Sequence, residues 1–99
     1  MITITHTGRR IAISGHAGYA PPGQDIVCAA ISTLVQTFIA SVEELTEDNL
    51  KSEITAGNAV VEYGNLTEKG KLLLDSFFVG IRMIADSYPH YVQLVGDSD

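Results

Sequence analysis

The chain carries one cysteine, Cys28, and three histidines, His6, His16 and His90, and only His16 leads to the cysteine through a short, turn-rich segment. Nucleophilic catalysis by a thiol needs a sulfur biased toward thiolate, a base or ion-pair partner within hydrogen-bond reach, and donors for the oxyanion. The segment from His16 to Cys28 can supply each of them. With Asp25 as N-cap, Cys28 becomes the third residue of a helix, where unpaired backbone N–H groups and the positive end of the dipole stabilise a thiolate. The intervening Ala17–Gly23, with two prolines and two glycines, turns the chain so that the His16 imidazole can fold back onto the sulfur. The Cys28 N–H, with a second free N–H from the first turn or the loop, is then expected to bind the oxyanion. Asp25 has two candidate roles, capping the helix or orienting the His16 ring as a third triad member.

Each of these residues also has a plainer reading. A lone cysteine near the start of an apolar helix is more often a small buried hydrophobe than a nucleophile, and a lone histidine more often sits at a surface or a strand end. His6 and His90 have no such neighbour and are assigned no role. One Cys and three scattered His, without a His-x-His or Cys-x-x-Cys pair, argue against a metal site, and no cofactor is implied. Gly15-x-x-Gly18 and Gly23 before a helix resemble a phosphate cradle, but the loop has no lysine and Asp25 would repel an anion.

The elements that must position these groups follow from hydrophobic period. Ile2 and Ile4, then Ile11 and Ile13, alternate on either side of Thr7–Arg10 and predict a β-hairpin ending near Gly15, with His16 at a strand's end. Val27, Ile31, Leu34, Val35, Phe38, Val42 and Leu45 recur at helical spacing and predict a helix from about Asp25 that ends in the acidic run Glu43–Asp48, read as solvated. The uncharged stretch Ile26–Val42 is interrupted by Ser32, Thr33, Gln36, Thr37 and Ser41 and falls short of the ~20 apolar residues that span a bilayer, so it reads as a buried helix. Lys51–Thr55 and Ala59–Tyr63 flank Gly57-Asn58 as a second hairpin. Thr67-Glu-Lys-Gly opens a second helix whose Leu73, Phe77, Ile81, Ile84 and Tyr88 share a face, Leu72–Phe78 reads as core, and Pro89 stops it. Tyr91–Val95 is the last strand.

The order β-β-α-β-β-α-β predicts an α+β two-layer sandwich, two helices on a mostly antiparallel sheet. Its 99 residues, 45% hydrophobic and 18% charged, suit one domain over residues 1–96 with a disordered tail at 97–99. The first helix is apolar on more than one face, so either the second helix covers the remainder or a homodimer does. A net charge of -6 leaves no basic stripe for nucleic acid and favours a basic protein partner. A single cysteine excludes an internal disulfide, and the N-terminal residues alternate like a strand rather than a signal peptide, so a reducing, cytoplasmic setting is expected.

Gly15-His16-Ala17, then Gly23-Gln24-Asp25-Ile26-Val27-Cys28-Ala29-Ala30, with Ser32 following, resemble the signature of the ribosomal-processing cysteine protease family, called Prp or YsxB-like. The motif runs from residue 15 to 32; beyond it the likeness lies in length, element order and acidic character. The resemblance implies a cytoplasmic, homodimeric endopeptidase that removes a short N-terminal extension from a large-subunit ribosomal protein precursor. The family's histidine and cysteine fall on His16 and Cys28. Related phage and prophage proteins are implicated in trimming capsid or scaffold proteins, which is the alternative setting. The loop containing Gly18, Tyr19 and Gly23 is expected to move to admit an extended peptide, with Tyr19 against the substrate. The competing class is a non-catalytic module of the same fold that binds a ribosomal or phage protein without cutting it.

Overall fold

Alternation of apolar and polar residues makes half-buried strands, and the longer apolar stretches make helices that cover their apolar side. The computed structural model describes residues 1–96. It contains β1 (Ile2–Thr7), β2 (Arg10–Ser14), α1 (Ile26–Leu45), β3 (Leu50–Thr55), β4 (Asn58–Tyr63), α2 (Glu68–Ser87) and β5 (Val92–Val95). The five strands form one sheet in the order β3-β4-β2-β1-β5. Three neighbouring pairs are antiparallel, and β1 with β5 is the parallel pair that closes the far side. The predicted α+β class and element order therefore hold, with a mixed sheet. The tail at 97–99 lies outside the described residues.

The core lies between the sheet and the two helices. Ile2, Ile4, Ile11, Ile13, Ala59, Val61 and Val92 face inward from the strands, and Val27, Ile31, Val35, Phe38 and Val42 descend from α1. Phe77, Phe78 and Ile81 do the same from α2. Helix α1 runs beyond the uncharged stretch through Glu43 and Glu44, giving 20 residues, with a window of mean hydropathy 1.7 that is long and apolar enough to cross a membrane by length and composition. Here its central stripe is the middle of the core, which accounts for that apolarity.

Several expectations are corrected by packing. Leu45 and Leu72 are exposed, because each lies where a long apolar run wraps past the one helical face that meets the rest of the protein. The turn of the second hairpin is Ala56-Gly57 rather than Gly57-Asn58: Asn58 already pairs with Thr55, and Gly57 takes φ +78° at the second turn position, where a side chain is strained. Asp48 is no mere solvated helix end, since its carboxylate accepts from the Thr67 N–H at 3.1 Å and the Thr67 hydroxyl at 2.8 Å, tying the α1–β3 connection to the start of α2. His6 is buried on the inward face of β1, stacks on Phe78 and lies 2.7 Å from the Tyr63 hydroxyl through Nε2. Burial lifts the Tyr63 phenol above its ordinary 10.0 despite the Arg9 charge, so its proton is held at this contact.

Candidate active site

The cysteine and histidine arrive at one place by different routes. Cys28 is the third residue of α1, whose first turn is set by Asp25: one carboxylate oxygen, Oδ1, accepts from both the Val27 and Cys28 N–H groups at 3.0 Å. His16 lies two residues beyond β2, just past Gly15, which adopts φ +93°. A Cβ at Gly15 would run into the Met1 carbonyl oxygen, so glycine is required there for space as well as for backbone angle. Because β4 pairs with β2, the β3–β4 turn comes alongside, and the Gly15 N–H donates to the Gly57 carbonyl at 2.9 Å.

Two cavities meet at these residues. One, of about 270 Å³, runs between α1 and the β3–β4 turn and is lined by His16 and Cys28 with Ile31, Ser32, Gln36 and Gly57 among others. The other, of about 650 Å³, lies on the loop side, bounded by Gly18, Pro22, Gly23 and Asp25, and again includes His16, Cys28 and Ser32. A chain laid through both would cross the sulfur.

The Cys28 thiol is half-buried and its Sγ accepts a hydrogen bond from the Ala17 N–H at 3.3 Å. An N–H aimed at sulfur favours the anion, and so does the helix start. His16 is exposed, and among the described residues its ring makes no hydrogen bond to Cys28; instead its Nε2 end rests against Gly57. The structure thus brings the two residues into one site without the direct sulfur–imidazole contact expected from the loop.

The Cys28 N–H is also not available as an oxyanion donor in this arrangement, because Asp25 already holds it. Asp25 Oδ2 accepts from the Tyr19 N–H at 3.0 Å, so the same side chain starts the helix and anchors the preceding loop. The Cys28 N–H, then those of Tyr19 and Ala20 and the Cys28 side chain, hold the Asp25 carboxyl below its ordinary 3.8, against an opposing desolvation effect second in size. No hydrogen bond joins Asp25 to His16 among the described residues.

Gly18 and Gly23 border the loop-side cavity, whereas Tyr19 does not. Its ring packs edge-on against Tyr88 and Tyr91, with centroids 5.6 and 5.2 Å away, pinning the loop to the end of α2 and the approach to β5. Gln36, Thr55, Gly57 and Asn58 line the site although the sequence offered them only as parts of a helix and a hairpin. Gln36 was within reach, since Cys28, Ser32 and Gln36 are spaced by four on one helix. The turn residues were not, because only the β2–β4 pairing brings them near His16. Among the described residues no group of three or more His, Cys, Asp or Glu is placed to hold a metal ion.

Comparison with known proteins gives a consistent assignment. A family model described as cysteine protease Prp matches residues 1–93. The chain is 30% identical over 100 residues to the ribosomal processing cysteine protease Prp of Mycoplasma pneumoniae, covering 93% of this chain and 91% of that one. It is 31% identical over 108 residues to the protein of the same name from Mycoplasma genitalium, covering 99% and 98%. The essential ribosomal processing protease Prp from S. aureus, crystallised with a covalently linked product peptide, superposes with a TM-score of 0.89 at 23% identity, over 98% of this chain and 100% of that one, and so shares the fold. The chain belongs to the Prp family of cysteine proteases.

Proposed function

We propose that this cysteine protease removes a short N-terminal extension from a large-subunit ribosomal protein precursor in the bacterial cytoplasm, with Cys28 as nucleophile and His16 as general base and acid. The observation that carries the residue assignment is the convergence of both side chains on two adjoining cavities, with the Ala17 N–H aimed at the sulfur. The substrate class rests on the names of the two Mycoplasma relatives. A net charge of -6 suits a basic ribosomal protein as partner.

In the reaction, the Cys28 thiolate attacks the scissile carbonyl carbon and a C–S bond forms. The peptide C–N bond then breaks as His16 gives its proton to the leaving amine. Water, deprotonated by His16, attacks the thioester and the C–S bond breaks, returning the thiolate. The His16 ring is exposed and makes no hydrogen bond among the described residues, so a side-chain rotation or a shift of the loop at 15–25 brings it to the sulfur when substrate enters. The Ala17 N–H donates to the sulfur and is the first candidate for the oxyanion. Gly18 and Gly23 lie within this loop and border the cavity on its side, while the Tyr19 ring ties the loop to Tyr88 and Tyr91.

The working form is a homodimer joined through the outer faces of the helices. There Ile26, Val79 and Met83 are at least half exposed beside an apolar groove between α1 and α2. Incubation with purified large-subunit ribosomal protein precursors, read by mass spectrometry, tests the substrate class. One new N-terminus near the start of one precursor is the expected product; intact precursors alongside cleavage of a phage capsid or scaffold protein would reject it.

A further inference from the structure

We propose that Gly57, on the β3–β4 turn, is a positioning residue for His16, its bare Cα forming the surface against which the imidazole is oriented. This rests on the reading of His16 as the base. In a Ser-His-Asp arrangement a carboxylate orients the ring through a hydrogen bond. Here the Asp25 oxygens are occupied by the Val27, Cys28 and Tyr19 N–H groups, and no hydrogen bond of the His16 side chain fixes its rotamer among the described residues. Steric contact is the remaining means.

A Cβ added at Gly57 would lie 2.8 Å from His16 Nε2, 3.2 Å from Cε1 and 3.6 Å from Cδ2. The first two are shorter than the roughly 3.5–4.0 Å at which non-bonded carbon atoms pack. Three other glycines with positive φ differ in this respect, because an added Cβ at Gly8, Gly18 or Gly23 meets nothing within 4 Å. At Gly57 the missing Cβ leaves room for the ring itself. The turn is also tied to the residue before His16 by the Gly15 N–H to Gly57 carbonyl bond of 2.9 Å, so the surface and the ring it supports keep their relation. Both residues line the cavity beside Cys28.

An exposed ring yields easily to a methyl group, so the collision costs little stability and much orientation. Gly8 supplies the control, because it too sits at a hairpin turn with positive φ, and Gly8→Ala introduces a comparable strain without touching His16. Two readouts apply to the intact protein: the NMR titration of the His16 ring, and the pH profile of Cys28 alkylation by iodoacetamide. Gly57→Ala should move the His16 titration and slow alkylation near neutral pH by about tenfold, the factor that about 1.4 kcal/mol of lost imidazole–sulfur interaction gives. Gly8→Ala should leave both within about twofold of the unsubstituted chain. If Gly57→Ala fails to fold, Gly57→Asn brings the same Cβ with a residue that tolerates positive φ, and the same shifts are expected. Unchanged His16 titration and alkylation in the folded Gly57 variant would overturn the proposal. An unchanged alkylation profile in His16→Ala would instead overturn the reading of His16 as the base, while the ring titration would still report whether Gly57 orients it.

Discussion

Asp25 joins stability to the site at the level of single atoms: Oδ1 holds the first turn that carries Cys28, and Oδ2 holds the loop through Tyr19. Its carboxyl is pulled below 3.8 chiefly by the Cys28 N–H, so the stabilisation it gives is complete above that value and lost as pH falls through the lowered one. Acid unfolding followed by circular dichroism should therefore show a smaller pH dependence below about pH 4 in Asp25→Asn, since asparagine caps well but does not titrate there. An unchanged acid limb would show that Asp25 contributes nothing through ionisation. The Asp25 cap and the place of Cys28 third in α1 were legible in the sequence because a helix start is a local feature. His6 was not: alternation pointed it inward after Ile2 and Ile4, but its partners Tyr63 and Phe78 lie far along the chain.

Among the elements, the starts of the two helices do the positioning. Asp25 begins α1, and Thr67 begins α2 by accepting from the Gly70 N–H at 3.3 Å while donating to Asp48. Gly70 lies inside the first turn, where alanine would ordinarily be better by about 1 kcal/mol. A Cβ at that position runs into the Asp48 carboxylate and stands 3.2 Å from the Leu66 Cβ. Gly70→Ala should therefore lower rather than raise the urea unfolding midpoint, by breaking the Asp48–Thr67 tie; a raised midpoint would mean that the contact relaxes freely. Both helices were readable from their caps and periods. What the period could not supply was the exposed side of each, so Leu45 and Leu72 were read with the core although both are exposed.

Over the whole molecule, strand pairing decides which local features meet. The order β3-β4-β2-β1-β5 places the β3–β4 turn beside the end of β2, and so Gly57 beside His16. Neither the parallel β1–β5 pair nor this adjacency has a local signature, since both join segments distant in sequence. The outer helical faces leave Ile26, Val79 and Met83 exposed, the surface proposed for a homodimer. Met83→Glu should shift sedimentation equilibrium toward monomer, as a charge placed in an apolar interface is desolvated without a partner. A monomeric unsubstituted chain would overturn the homodimer, and a dimer indifferent to this change would place its interface elsewhere.

Intact-mass spectrometry can catch the proposed attack of the Cys28 sulfur on the peptide. The protein is mixed with a ribosomal-protein precursor peptide, and the reaction is stopped in acid after short intervals. A transient thioester on Cys28 carrying the N-terminal fragment is expected, with neither adduct nor cleavage from Cys28→Ala. Cleavage at an undiminished rate by a correctly folded Cys28→Ala would contradict it.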